Sequence, residues 1–387
     1  MHCRNLWRNF LNSPHGLQCS VSYSCVVDGL MAQMRTATPL PLARVVIVGL
    51  MLLVNQLSMN VIFPFLPFMV AFFFRSLDEK ALGFRVGYLG SAFYMGNLLS
   101  SIVWGMAADR FGRRSVLLIG VFSTFFCILS FGLSQSFVMA LLSRTAWGAL
   151  NGNIGVAKSY LSEICDDSNQ AQGFAVIGFA GSVGRLLGPI LGGYLAQPAD
   201  KYPSTFSSNG FFGRFPFFLP CLLCACFACI AFLLGYVFLE EVYRSSGRKS
   251  SVSSIWALLR QRDVFVVVLL YGLISFADVI HQECFPLWVI LPPEHGGFGF
   301  QSSHIGLVIS ICAPFQLISQ AFIYPKLTDR FGFLKVFRAC LWITAISSAL
   351  LPYASFLQAV SSSKAFLWIV LISINIVIVA DSLETLD

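Results

Sequence analysis

The chain has 387 residues, of which 57% are hydrophobic and 11% charged. Soluble domains carry about 25% charged residues, and the apolar excess here falls into repeated runs near the ~20 residues that cross a bilayer, which excludes an ordinary soluble protein. The net charge of +7 is spread over short segments between those runs, as membrane orientation requires, so it does not point to nucleic acid.

In chain order, residues 1–40 read as a loosely ordered tail without the long apolar core of a signal peptide. Met34, followed by Arg35 and Arg44 ahead of the first apolar run, offers a second lead-in. Residues 1–33 therefore stand either as a tail or as sequence upstream of the true start. The first span runs from about Arg44 to Phe74 and is broken near its end by Pro64 and Pro67. The next five cover about Val86–Met106, Ser115–Leu133, Phe137–Leu161, Ala171–Leu195 and Pro216–Leu239. A polar linker over 240–262 holds Arg244, Arg248, Lys249, Arg260 and Arg262. Four more spans follow, at about Val264–Leu291, Ile305–Tyr324, Val336–Leu351 and Ala365–Ala380. The expected division is a tail (1–40), a six-helix bundle (41–239), the linker (240–262) and a four-helix bundle (263–387).

Lys and Arg divide unequally between the two sides. Twelve fall on the side of the second-to-third, sixth-to-seventh and eighth-to-ninth connections, namely Arg110, Arg113, Arg114, the five linker residues, Lys326, Arg330, Lys335 and Arg338. The other side holds six: Arg75, Lys80, Arg85, Lys201, Arg214 and Lys364. The first side, with the N-terminus and the linker, is therefore expected in the cytoplasm. An internal repeat accompanies this pattern. GYLGSAFYMGNLLSSIVWGMAADRFG, from Gly87 to Gly112, parallels GLVISICAPFQLISQAFIYPKLTDRFG, from Gly306 to Gly332, and each is one span ending in D-R-F-G. Duplicated halves are what an alternating-access carrier is built from.

Twelve cysteines do not make a disulfide or metal framework. Cys221, Cys224, Cys226 and Cys229 share one apolar run, where cysteine packs as a small hydrophobe. No metal site and no cofactor are expected. No G-x-S-x-G, H-E-x-x-H or P-loop is present, so an enzyme is not expected.

The densest charge lies in Gly105-Met106-Ala107-Ala108-Asp109-Arg110-Phe111-Gly112-Arg113-Arg114, one acid and three arginines in ten residues. In so apolar a chain this cluster is expected as a loop reached by water or lipid headgroups. The stretch is similar to G-x-x-x-D-R-x-G-R-R, the loop between helices 2 and 3 of the major facilitator superfamily. The resemblance implies an all-α membrane protein of two pseudo-symmetric bundles with six helices in each half. Only about ten spans are counted here, so the last two are expected to be missing, as in a truncated product. It also implies that Gly105, Asp109, Arg110, Gly112, Arg113 and Arg114 form a conformational latch. Glu163 resembles the acid that joins this network, although a solvated loop acid is an equal reading. Asp329 and Arg330 are the equivalents in the second half.

Gly184, Gly188, Pro189, Gly192 and Gly193 make G-x-x-x-G-P-x-x-G-G in the fifth span. Glycines four apart let helices approach closely, and the block resembles the antiporter motif of drug:proton exchangers. Arg185 within it costs at least ~2.5–3.5 kcal/mol in mid-membrane unless it meets a cavity or partner. Arg144 opens an R-x-x-x-G segment similar to the superfamily's proton-coupling motif; a fixed cation lowers the pKa of a neighbouring acid. The alternative for Arg144 is a side chain snorkelling from the outer end of its helix.

In the seventh span Asp278 and His281 lie three apart on one face, with Glu283 elsewhere. They are candidates for proton or substrate binding, for structural pairing, or for the aqueous mouth. The amides Asn55, Asn60, Asn97, Gln316 and Gln320 are pore candidates, or they join helices. H-x-E-x-F-P-L-W from His281, with Pro293 to Phe300 beyond it, resembles the zinc-induced-facilitator-like branch. Its members export zinc complexes, organic anions, auxin-like molecules or alkali cations across vacuolar or plasma membranes. The branch's paired-cysteine motif before the first span and its linker histidine cluster are absent, which argues against zinc itself.

The expected function is a secondary active transporter working by alternating access: proton-coupled antiport exporting a small organic or metal-complexed solute. Its partners are the bilayer, the solute and protons, and the chain acts as a monomer or paired with a full-length homologue. Two alternatives stand beside this: a facilitative or symport uptake carrier, and a transport-incompetent truncated isoform that pairs with a full-length carrier.

Overall fold

A computed structural model describes residues 39–74, 79–166, 169–207, 209–241, 260–292, 297–301 and 323–350, with positions 304, 307, 311 and 318. Among the described residues the structure is helical and contains no strand. Helix α1 spans Leu42–Asn60, and after a turn over 61–65 comes α2, Leu66–Phe73. Pro67 sits in the first turn of α2, where its missing N–H is no loss, so the first span is two pieces. Helix α3 covers Glu79–Phe111 and α4 covers Arg113–Gly132.

The expected loop around Asp109 is therefore corrected. Gly105 to Phe111 is helix, and Gly112 alone makes the turn, with φ +92°. One residue can reverse the chain there because glycine tolerates that left-handed region.

The fourth span is also two pieces, α5 (Phe137–Ala149) and α6 (Asn153–Ile164). The break falls at Asn151-Gly152, where Asn151 Oδ1 accepts from the Asn153 amide at 3.2 Å. A side chain competing for backbone donors in this way starts a helix rather than continuing one. Helix α7, Gln170–Leu195, contains Pro189 and ends before Gln197, whose φ is +55°. Two short helices, α8 (Pro198–Lys201) and α9 (Phe211–Arg214), lead to α10, Phe218–Phe238. After the linker come α11 (Arg262–Ile290), α12 (Tyr324–Phe331) and α13 (Phe333–Leu350). The eighth span, apart from single positions, and the tenth lie outside the described residues.

Four of the described helical stretches, Leu42–Asn60, Arg113–Gly132, Gln172–Leu195 and Phe218–Phe238, are long and apolar enough to cross a bilayer. Their outer faces are apolar too: Phe126 is 53% exposed and Val237 68%. That surface belongs against lipid, because water would not favour it. On α10 the buried face is small, with Cys221, Cys224, Ala225, Ala228, Ala231 and Gly235. Cys221 and Cys224 are free thiols inside the core, which supports reading them as packing residues.

Packing divides into two apolar clusters. One gathers Val45, Val48 and Met51 of α1 with Leu117, Tyr160 and Leu239. The other gathers Leu57 and Ile62 with Phe65, Trp147, Phe217 and Cys221. Between them on α1 sits Asn55, 1% exposed. The repeat reappears in the backbone: Gly332, between α12 and α13, has φ +83°, matching Gly112. Arg110 lies over the Phe111 ring at 5.4 Å, and Arg330 lies over Phe331 at 5.5 Å.

Candidate functional site

Helices α1 and α7 lie almost backbone to backbone, and this contact positions the site. A Cβ at Gly184 or Gly192 would run into the carbonyl oxygens of Leu53 or Val61. At Gly188 it would meet Leu57 O at 2.7 Å. The glycine block is thus a packing face, and Arg185, one residue along, lines a cavity of about 280 Å³. Gly193 contributes its carbonyl, which accepts from Lys201 Nζ at 2.6 Å.

The cavity is walled by α1, α3, α6, α7 and α11. Its polar residues are Gln56, Asn60, Tyr94, Lys158, Arg185, Tyr271 and Ser275, and none of the described lining residues is acidic. Arg185 Nε is buried without a hydrogen-bond partner. Asn60 also lines the cavity and donates to Gln56 O at 2.7 Å. The sequence reading missed Lys158, Gln56, Tyr94 and Tyr271. For Lys158 a signal existed, since a lysine inside a span is as costly as Arg185. For the other three there was none.

A second cavity of about 390 Å³ shares Met59, Tyr94 and Ile154 with the first and reaches Gly105 and Arg113. Asn55 and Asn151 line it, and Asn151 Nδ2 donates to Asn55 Oδ1 at 2.6 Å. Asn97 donates to the Asn151 carbonyl. Arg144 lines neither cavity. It is 2% exposed, donates from Nε to Leu89 O at 3.0 Å, and sits 6.0 and 5.9 Å from the Phe63 and Phe93 ring centres. Snorkelling is thereby excluded: Arg144 is held behind the aromatic wall of the cavities.

The charged end is partly exposed, with Asp109 and Arg110 at the surface, and partly buried. Arg113 is 7% exposed; its Nε donates to Glu163 at 2.9 Å and its NH2 to Asp109 at 3.0 Å. Glu163 is therefore part of the network and not a free loop acid. Arg114 turns away and donates to Tyr236 O at 2.6 Å. Glu241, which the sequence reading passed over, accepts from the Arg114 amide at 3.1 Å and from Ser115 Oγ at 3.2 Å. It caps the N-terminus of α4, where a negative charge is favoured. Arg44 pairs with Glu240, and Tyr160 OH donates to Glu240 O at 3.0 Å.

Asp278, His281 and Glu283 fall on α11, but their side chains, like that of Asp329, lie outside the described residues. So do Gln316 and Gln320. Arg330 is exposed at the end of α12.

Residues 48–382 match the Major Facilitator Superfamily. The chain belongs to that superfamily. This facilitator is 33% identical over 361 residues to a probable peptide/nitrate transporter of Arabidopsis thaliana, covering 87% of this chain and 73% of the relative. It is 32% identical to the protein Zinc Induced Facilitator-Like 1 of the same plant, covering 78% of this chain and 66% of that one. Among solved structures it is similar to a D-xylose-proton symporter, with a TM-score of 0.65 and 14% identity, over 89% of this chain and 80% of that one. The facilitator is accordingly an integral membrane transporter, and the superfamily supplies no catalytic activity.

Proposed function

We propose that this facilitator is a proton-coupled antiporter that exports a small organic or metal-complexed solute by alternating access. The observation that carries the reading is the polar cavity beside the glycine-packed α1–α7 contact, with Arg185 from the glycine block among its lining. A buried cation costs several kcal/mol if idle, so a cavity-facing arginine supports a binding role. Arg144 behind the wall and the Arg113 network at the charged end support a cavity with a fixed base and a mobile mouth. The matched glycines Gly112 and Gly332 support two halves rocking against each other. The Lys and Arg asymmetry supports placing the charged end in the cytoplasm of a vacuolar or plasma membrane.

The test is uptake of labelled candidate solutes into vesicles holding the full chain, with and without an imposed pH gradient. Flux driven by an opposing proton gradient is expected. Flux in the same direction as protons would indicate symport, and no gradient dependence for any transported solute would remove coupling.

A further inference from the structure

We propose that the connection between α7 and α10 is a membrane anchor. An aromatic knob centred on Phe211 lies in the headgroup–acyl boundary of the leaflet opposite the charged end, and Arg214 meets lipid phosphate there. The proposal goes beyond the transport reading: it concerns a surface that lines neither cavity, and it holds whatever solute is carried.

The connection is built as a compact unit. The Gln197 amide donates to Pro216 O at 2.8 Å and closes its base, and Phe217 stacks on Phe65 with ring centres 5.4 Å apart. Between these ties four rings gather into one cluster. Phe211 lies 5.5 Å from Phe212 and 5.0 Å from Phe215, and Phe206 lies 5.0 Å from Phe212. Phe211, Tyr202 and Arg214 are exposed. Water does not favour such a surface, whereas Phe-bearing interfacial segments bury their apolar side about 5–10 Å into the headgroup–acyl boundary. The backbone permits this. The amides of Thr205, Phe206, Gly213, Arg214 and Phe215 all donate within the connection, so they enter a drier layer already paired.

The contact with α10 sets the depth. Phe211 meets Phe218, the first residue of α10, edge-on at 5.2 Å. Phe218 and Tyr236 lie about five turns apart on one flank of that helix, and Tyr236 is exposed, as is Leu233. The separation is about 27 Å along the axis, close to the ~30 Å of a hydrocarbon core. Each end carries the same pairing: Arg214 lies 5.7 Å from the Phe215 ring centre, and Arg114 lies 5.7 Å from that of Tyr236. An arginine over an aromatic ring at each end of one apolar span suits two lipid interfaces, the ring toward the acyl chains and the guanidinium toward phosphate. A second copy or a soluble partner gives no reason for that ~27 Å spacing.

The experiment places the purified full chain in phosphatidylcholine–phosphatidylglycerol nanodiscs. A trace of phospholipid carries a diazirine either beside the glycerol or at the acyl terminus, and adducts are mapped after illumination by peptide mass spectrometry. The shallow probe is expected to label residues 211–215 and the segment holding Tyr236. The deep probe should label the middle of α10, near Phe227 and Ile230, and leave both ends bare. Phe211→Trp should keep the shallow label. Phe211→Asp should lose most of it while the label at Tyr236 persists, which shows that the chain is still folded.

No shallow label over 211–215 would overturn the proposal, since the knob would then face water or be covered by protein. So would labelling there chiefly by the deep probe, or an unchanged label in Phe211→Asp. None of these results bears on coupling, which the vesicle flux reads separately.

Discussion

Arg113 holds Glu163 at 2.9 Å with its Nε while the two side chains are only 8% and 16% exposed. The same guanidinium reaches Asp109, four residues earlier, which is 36% exposed. One arginine thus ties the end of α3, the start of α4 and the end of α6 together. Burial differs between the two carboxylates, and the energetics should follow it. A shielded charge-assisted hydrogen bond is worth about 1.5–3 kcal/mol, whereas water competes for an exposed pair, worth about 0–1 kcal/mol.

Glu163→Gln is therefore expected to lower the melting temperature in detergent clearly more than Asp109→Asn does. Equal losses from the two, measured on the same full chain, would mean that Arg113 does not discriminate between them and that burial is not what sets the strength.

The α1–α7 contact makes a graded prediction. Gly184→Ala and Gly192→Ala drive a methyl group into the Leu53 and Val61 carbonyls, and Gly188→Ala meets Leu57 O at 2.7 Å. Gly181→Ala has as its nearest neighbour the Gln56 side chain at 3.8 Å. Overpacking costs about 1–3 kcal/mol, so the first two should reduce folded yield and melting temperature most. Gly188→Ala should fall between, and Gly181→Ala should match the parent. A flat response across the four would show that the helices separate freely.

Lys201, in the connection after α7, carries a pH prediction. Burial lowers its pKa from the ordinary 10.5 to about 8, opposed by neighbouring Asp200. Between those values the folded chain has lost a proton that the unfolded chain keeps, so stability rises with pH through this window. Below about pH 8 the lysine is charged in both states, and the cost of burying that charge is fully present. The parent's melting temperature should gain on that of Lys201→Met as pH rises above about 8. A constant difference between the two curves would contradict the burial.

Much of the fold was legible because a bilayer imposes long apolar runs. The spans, the glycine block and the charge cluster all stand out against them. Helix ends were less legible. The segment around Asp109 looked like a loop because charge there suggests water, yet only Gly112 leaves the helix. Arg113 pairs with Asp109 and Glu163, Arg114 donates to the Tyr236 carbonyl, and Arg110 is exposed at the helix end, so no loop was needed to accommodate the charge. The fourth span looked continuous because its apolar pattern runs through Asn151-Gly152; the break depends on a local side-chain bond that hydropathy does not register.

The sequence by itself determined the class of protein and the superfamily, and it singled out candidates among Arg113, Arg144, Arg185 and the glycines four apart. Each is conspicuous because charge, or a missing side chain, is costly or purposeful inside lipid. Only the tertiary structure decided where each one lies. Arg144 went behind the cavity wall, Arg185 into the cavity beside an unforeseen Lys158, and Glu241 onto the start of α4. Those outcomes depend on which helix lies beside which, and residues far apart in the chain meet only after the helices have packed.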